Sequence, residues 1–459
     1  MMTAASEISP PPRPVARTVW SILGPVLCAV MGLVMVMRLR PNENKLHDFV
    51  QEWTSARNWL QGQPIYEDLR QSVADDINPD LVPTLPIQYN AHPPVSVLVT
   101  LPFGVLPYHQ AVVAWNVLSL VALAISLELI LGPGGLDFPR WVWWPVVSLL
   151  LLSSPLAHQI YLAQLNLLLL LLFTAAWRFD RAGYSEASAA CIALAASIKI
   201  FPGFLFIYFL AQRRYRALIV GVGTLLLLNG LSWVVFGTQA WQTYVTVVLP
   251  AVAGFRGAWA NASIAGFWAK LFDSSNPAVA PIWAAPAVAQ ALTVVSALTL
   301  MGIMAWSMFR ANNRRARDCA FATGVVATVL LSPIVWHHYF VILALPLLIL
   351  WRELPATWTT RSVLCLAIVL LAINPAWITG VDVAILGPAG EIIPPTIAPP
   401  LKTLTSLSLQ FYVIVALWGL GCLGCFRLSA NSSNAPRDIS ESSRASESTK
   451  HSALQPLPA

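Results

Sequence analysis

The sequence predicts an all-α polytopic membrane protein: a bundle of about twelve transmembrane helices with an amphipathic-helical first outer loop. Three observations carry this. The 459-residue chain is 57% hydrophobic and only 10% charged, where soluble domains carry about 25% charged residues. Apolar runs of about 18 residues or more, the length that spans a bilayer, recur along it. Its basic residues gather in short loops between those runs, as the positive-inside rule requires. The net charge of +6 is therefore read as a topology signal, and nucleic-acid binding is not expected.

The polar, Pro-rich N-terminus "MMTAASEISPPPRPVART" lacks the pattern of a secretory signal, and the apolar run Val19–Met37 is longer than a signal core. It is expected to stay as an anchor. The six cysteines, Cys28, Cys191, Cys319, Cys365, Cys422 and Cys425, all lie in or beside apolar segments, so no structural disulfide is expected. Cys422 and Cys425 form a lone C-x-x-C with no second pair, a weak zinc pattern.

Basic loops at 178–181, 212–216 and 310–318, together with Arg13, Arg17 and Arg427, place both termini on the cytoplasmic side and make the number of crossings even. Under that constraint the spans fall near 19–37, 109–131, 141–157, 160–177, 186–200, 201–211, 217–236, 281–309, 318–334, 336–351, 361–379 and 404–426. Segments 186–200 and 201–211 are short and read as a hairpin. The run 93–107 reads as a half-span on the outer side. The domain reading is a cytoplasmic segment 1–18, a membrane domain 19–426 with outer loop 38–92, and a disordered cytoplasmic tail 427–459, rich in Ser, Asn and Glu. No internal repeat marks two matched halves of a transporter.

In the outer loop, Phe49, Trp53, Ala56 and Leu60 recur at helical spacing after Asp48. This predicts an interfacial helix over 48–61 anchored by Trp53 and Trp59. Asp48 stands at its start, where it either caps the helix or serves as a carboxylate at the rim of a cavity, roles that are compatible.

Several polar residues stand in apolar surroundings, where unpaired polar groups are costly. They are Gln164 and Asn166 in "YLAQLNLLLLLLF", Lys199 in "SIKIFPGF", Asn261 and Ser263 in "WANASIAGF", and His337 and His338 in "SPIVWHHYF". The basic loops put Asp48, Gln164, Asn166, Asn261 and both histidines on the outer face. Each has a plainer reading: interhelical hydrogen bonding for the amides, snorkelling for Lys199, interfacial packing for the histidines. Asn261 also opens an N-A-S sequon, which is set aside because nothing else points to a eukaryotic secretory protein.

These stretches together resemble the polyprenol-phosphate-mannose-dependent alpha-mannosyltransferases of glycosyltransferase family 87, which have the GT-C architecture. The resemblance runs in order through "HDFVQEWTSARNWLQGQPIY", "NAHPPVSVLVTLPFGVLP", "LAQLNLLLLLLF", "SIKIFPGFLFIYFLAQRRYRAL", "NASIAGFWAKLF" and "LLSPIVWHHYFVILALP", across most of residues 45–350. It departs from the family pattern at Ala163 (usually Gly), His92 (commonly Tyr) and Ala262 (usually Gln). The resemblance implies a plasma-membrane enzyme that moves mannose from a polyprenyl phosphate to an acceptor on the outer side, with inversion. Asp48 matches the family's general base. An attacking hydroxyl must lose a proton to a positioned carboxylate, and a phosphate leaving group gains from cations and hydrogen-bond donors. The candidate catalytic residues are therefore Asp48 and His337, the latter as a proton relay. The candidate substrate-binding residues are His338, Lys199, Gln164, Asn166, Asn261, Arg57, Tyr66, His92 and Arg256. No metal or other cofactor is expected. The lipid-linked sugar donor, a glycolipid or glycan acceptor and membrane lipids are the expected partners. A transporter or flippase of lipid-linked saccharides competes with this reading. Glu128 is the main carboxylate inside a span, however, which argues against ion-coupled transport.

Overall fold

The computed structural model describes residues 14–39, 45–85, 88–274, 279–379, 385–386, 392–393 and 397–433. Arg13, much of the loop 380–403 and the tail beyond Ser433 lie outside the described residues. Apart from a short ladder pairing Ile385–Leu386 with Ile392–Ile393, the described chain is helical.

Helix α1 (Pro14–Arg38) begins on proline, whose missing N–H is no loss in a first turn. The outer loop holds α2 (Val50–Leu60) and α3 (Leu69–Asp76), the latter capped by Asp68. A proline also opens α4 (Pro94–Thr100), which continues as a 3-10 turn over Leu101–Val105. Helix α5 (Tyr108–Leu131) follows after the extended Leu106 and Pro107. The Ser153-Ser154-Pro155 sequence separates α6 (Arg140–Leu152) from α7 (Ser154–Leu162), because Ser153 caps the new helix and Pro155 sits in its first turn. Next come α8 (Asn166–Arg181), α9 (Ser185–Ile198) and α10 (Phe206–Ala211). Helix α11 (Tyr215–Thr243) bends at Gly237, which has φ 78°, and passes through a π-helical turn into α12 (Leu249–Ala253).

Ser263, Asn313 and Thr357 cap α13 (Ile264–Phe272), α15 (Arg314–Leu331) and α17 (Trp358–Ala372), each accepting from a backbone N–H of the first turn. Such oxygens satisfy donors that a helix start leaves without intrahelical partners. Helix α14 (Pro286–Arg310) precedes α15, and a 3-10 turn over His337–Leu343 leads into α16 (Ala344–Glu353). The chain closes with α18 (Pro375–Thr379), α19 (Pro400–Leu404) and α20 (Leu409–Ser433).

Helix length and composition support a helical membrane protein but not the count of about twelve spanning helices. Among the described residues five helices are long and apolar enough to cross a membrane, and a sixth if α6 and α7, bent by 58°, act as one. An apolar run does not reveal where a Ser-Pro or a left-handed residue will break it. The run 160–177 is split at Ala163–Leu165, and 336–351 begins as a 3-10 turn. Helix α17 has 15 residues, short of the roughly 20 that a ~30 Å hydrocarbon core needs. The first turns of α15 carry Arg314, Arg315, Arg317 and Asp318. The run 93–107 folds as a short helix, and α20 extends through Arg427 to Ser433, so the first residues of the expected tail are helical.

Helix α15 forms the centre of the bundle. Its residues from Asp318 to Leu330 are all buried, and it packs against α14, α16 and α20. Helices α8 and α9 pair closely, with α5 behind α8 and α11 against α9. Helices α1, α11 and α14 present large apolar side chains outward, among them Ile22, Leu226, Leu227, Val234 and Leu298, as lipid-facing helices do.

Helix α2 departs from the interfacial reading. Most of its residues are buried in protein. Trp53 is 2% exposed, its Nε1 donating to Leu106 O at 3.0 Å, and Trp59 packs edge-on against Phe236. Trp53 is thus held inside the protein, and Trp59 is partly buried. The helix instead ties the loop together: Ser55 donates to Ile65 O, Asn58 to Ser72, and Gln51 accepts from Ala91 N. It sits directly on Gly104, where a Cβ would come within 2.9 Å of the Ala56 carbonyl carbon. Gly104→Val is expected to lower the unfolding free energy by about 1–3 kcal/mol through overpacking, read as a reduced midpoint in thermal unfolding of the detergent-purified protein.

Candidate functional site

Asp48 does not cap α2. The helix is preceded by Phe49 and has no side-chain cap. Backbone bonds fix the aspartate instead: Phe49 N donates to Leu162 O, and Gln51 N to Asp48 O. The Phe49 ring stacks on Trp115 with centroids 5.1 Å apart. The Asp48 carboxylate is thereby free to turn away from the helix, and Oδ2 accepts from Gln164 Nε2 at 2.9 Å.

Gln164 stands on the corner between α7 and α8. The corner exists because Ala163 adopts a left-handed conformation, φ 51° and ψ 45°. That geometry favours glycine, which accounts for the glycine usual in the resembled pattern. The corner is knitted by side chains: Gln159 donates to Gln164 O, Asn166 Nδ2 donates to Gln159 Oε1 at 3.0 Å, and Trp115 Nε1 donates to Gln164 O at 3.3 Å.

Lys199 follows α9 and is 4% exposed. Its ammonium donates to Gln164 Oε1 at 3.1 Å and to Asn166 Oδ1 at 3.2 Å, and lies 4.5 Å from the centroid of the Tyr339 ring. One amide thus bridges the two charges, its NH2 to the carboxylate and its oxygen to the ammonium. No other orientation satisfies both, since a carboxylate only accepts and an ammonium only donates.

These groups face a cavity of about 340 Å³, walled on its polar side by Asp48, Gln51, His92, Gln164, Lys199 and His338. The opposing wall is apolar, with Phe201, Leu249, Val252, Phe255 and Trp336. Burial raises the Asp48 pKa to about 6 against the opposing effect of the Gln164 hydrogen bond. Nε2 of His338 is buried without a hydrogen-bond partner in the protein.

The other candidates fall into three groups. Tyr66 and Asn261 support the wall. The Tyr66 hydroxyl donates to His92 O at 2.6 Å, and its ring stacks on Tyr244, another cavity residue. Asn261 donates to Arg256 O and Pro333 O and accepts from Ser263 N and Val335 N, locking the 332–336 corner that lines the cavity. Arg57 and Arg256 are elsewhere: Arg57 reaches Gly104 O and Asp76, and the Arg256 side chain is exposed. His337 does not line the cavity. Its ring meets His158 edge-on at 5.4 Å, away from Asp48.

One residue escaped the sequence reading. Glu52 is 2% exposed, and its carboxylate pairs with His92 Nδ1. Burial lowers the His92 pKa, so a neutral ring donating Nδ1–H to Glu52 satisfies both. The signal was present: Glu52 stands four residues after Asp48, on the same face of the helix expected over 48–61. Among the described residues no group of three or more His, Cys, Asp or Glu side chains is placed to hold a metal ion.

Fold and cavity together define a helical membrane protein with a deep, ionisable pocket at one end of its bundle. Residues 90–333 match the sequence profile of glycosyltransferase family 87, and the chain belongs to that family. Two curated relatives carry the same description, polyprenol-phosphate-mannose-dependent alpha-(1-2)-phosphatidylinositol pentamannoside mannosyltransferase. The protein of Mycobacterium tuberculosis (strain CDC 1551 / Oshkosh) is 25% identical over 295 residues, 60% of this chain and 61% of that relative. The Mycolicibacterium smegmatis (strain ATCC 700084 / mc(2)155) protein is 27% identical over 192 residues, 40% of this chain and 46% of its own. The chain thus matches less than two thirds of the length of either relative. Asp48, Glu52 and His338 lie outside the family match, and Gln164, Lys199 and Asn261 lie within it.

Two substitutions test the scaffold of the site. Ala163→Gly is expected to relieve the left-handed strain and stabilise the protein by up to roughly 1 kcal/mol. Asn261→Ala strips partners from two buried backbone N–H groups and is expected to destabilise it by about 2–4 kcal/mol. Both are read by denaturant or thermal unfolding in micelles.

Proposed function

We propose that the protein is a membrane mannosyltransferase that uses a polyprenyl phosphate-mannose donor, inverts the anomeric centre and employs Asp48 as general base. The observation that carries this reading is the Gln164 bridge, which holds a carboxylate and an ammonium at fixed positions on one cavity wall. In the reaction the acceptor hydroxyl attacks the anomeric carbon while its proton passes to Asp48. The bond from that carbon to the phosphate oxygen breaks, and its electron pair leaves with the polyprenyl phosphate. Lys199 and His338 stabilise the departing phosphate, and the apolar wall accommodates the start of the prenyl chain. A carboxylate with a pKa near 6 is ionised at neutral pH yet basic enough to accept a proton as the hydroxyl attacks.

The relatives' names supply the donor and favour a glycolipid acceptor bearing mannose. The basic loops supply the side. They cluster at the ends of α8, α10 and α14 remote from the cavity, and by the positive-inside rule this supports an outer face for Asp48, with both termini cytoplasmic. Residues 19–426 form the membrane domain. Asn166 and Gln159 keep Gln164 in register, and Asn261 and Tyr66 shape the wall.

Purified protein incubated with labelled polyprenyl phosphate-mannose and extracted membrane lipids should yield a mannosylated lipid identified by mass spectrometry. Asp48→Asn is expected to lower kcat by about 10²–10⁴-fold while the protein remains folded; unchanged turnover would remove Asp48 from the mechanism. The base works only when deprotonated, so kcat should fall as pH drops through about 6. In Gln164→Leu, which loses the hydrogen bond that favours the ionised carboxylate, that limb should move to higher pH. A limb that stays in place would separate Gln164 from the base.

A further inference from the structure

A second cavity, of about 550 Å³, lies at the other end of the bundle and plays no part in the proposed reaction. Helix α5 fixes the separation. Its first residue, Tyr108, accepts a hydrogen bond from His47 N beside Asp48, and the chain just beyond its last residue, Leu131, forms one wall of this cavity. Twenty-four helical residues place the two about 36 Å apart.

Four arginines line the walls, Arg181, Arg314, Arg315 and Arg352, with the carboxylates Asp137, Asp318 and Glu353 among them. Two of the four form ion pairs. Arg181 Nη1 lies 3.0 Å from Asp318 Oδ2, and Arg315 Nε lies 2.8 Å from Glu353 Oε2. Arg314 and Arg352 form no ion pair among the described residues and are exposed. Arg181 adds a further donor, because its Nε is buried with no hydrogen-bond partner and its side chain is only 10% exposed. A buried N–H without a partner costs free energy that an acceptor would recover. The floor is rigid: Arg178 donates to the carbonyls of Pro133 and Gly134 and so pins the turn after α5.

We propose that this cavity binds a phosphate-bearing anion, held by Arg314 and Arg352 with Arg181 at its base. Guanidinium forks match phosphate oxygens in geometry and charge. The volume lies in the range of small-ligand pockets, roughly 300–1,000 Å³. The cavity opens where helix ends gather on the face with the basic loops, the location at which arginine pockets between membrane helices meet anionic headgroups. A lipid headgroup and a soluble phosphate share this chemistry, and the test separates them.

The full-length protein in detergent is titrated with dioleoyl phosphatidylglycerol or dioleoyl phosphatidylcholine and examined by native mass spectrometry, and separately with inorganic pyrophosphate by thermal shift. The expected result is retention of the phosphatidylglycerol about tenfold above the phosphatidylcholine, with that preference lost in Arg314→Gln/Arg352→Gln. Arg216→Gln, an exposed arginine on the same face but outside the cavity, should behave as wild type. Lipid retention that resists millimolar pyrophosphate assigns the site to a headgroup; a pyrophosphate-dependent shift that the double variant abolishes, with no lipid preference, assigns it to a soluble phosphate. The proposal is overturned if neither probe binds, if the double variant binds both as wild type does, or if Arg216→Gln loses as much as the double variant. None of these readings requires mannosyl transfer, so they stand apart from the fate of the proposed reaction.

Discussion

The site depends on one amide. Gln164 donates to Asp48 and accepts from Lys199, so a base and a cation that no ion pair joins directly are held at fixed separation. A direct carboxylate–ammonium contact would have been electrostatically stronger in a low-dielectric interior. It would also have neutralised both groups and deepened the carboxylate's preference for its ionised form. The interposed amide leaves Asp48 desolvated and only partly compensated, which is why its pKa rises to about 6. The left-handed turn at Ala163, the Gln159–Asn166 bond and the Trp115 indole serve to keep that amide in place.

The bundle is built so that its helices connect two chemically different ends. Helix α8 begins at Asn166 in the polar cluster and finishes at Arg178 and Arg181. Helix α15 starts at Arg314 and Arg315 and leads to Ser332 and Pro333 in the cavity wall. Between the ends the helices are tightly packed and apolar, and α15 is buried along almost its whole length. The same arginines that orient a membrane chain by the positive-inside rule are thus kept away from the negative charge of the Asp48 pocket. Lys199 is the cation whose charge acts on the base.

Much of this was legible in the sequence. Apolar runs and sparse charge announced a helical membrane protein, and intramembrane polar residues pointed to Gln164, Asn166, Lys199 and His338, which do meet in or behind one cavity. The reason is physical: polar groups survive in an apolar setting only when paired, and pairing brings them together. What was not legible depended on direction rather than on identity. Asp48 has the residue type and the place of a cap, and only the backbone shows its carboxylate turned to Gln164. Trp53 and Trp59 have the type of interfacial anchors, yet the loop folds back, burying Trp53 and partly covering Trp59. His337 and His338 are adjacent in sequence, but the 3-10 turn sends one to the cavity and the other toward His158. Helix ends were hidden for a related reason, since hydropathy averages over the Ser-Pro and left-handed breaks that shorten helices.

Glu52 explains how the pocket tolerates a histidine where the resembled pattern commonly has tyrosine. A buried imidazole needs a partner for its N–H, and Glu52, one turn after Asp48 on α2, supplies it. Two carboxylates, one just before α2 and one in its first turn, then have different roles. Glu52 faces a donor in His92, while Asp48 faces the amide of Gln164 and the open cavity. Like charges so close disfavour each other's ionisation, and the Glu52 charge is among the causes that raise Asp48. The pairing with His92 therefore does more than fill space: it commits Glu52 to a structural contact and leaves Asp48 as the carboxylate available to take a proton.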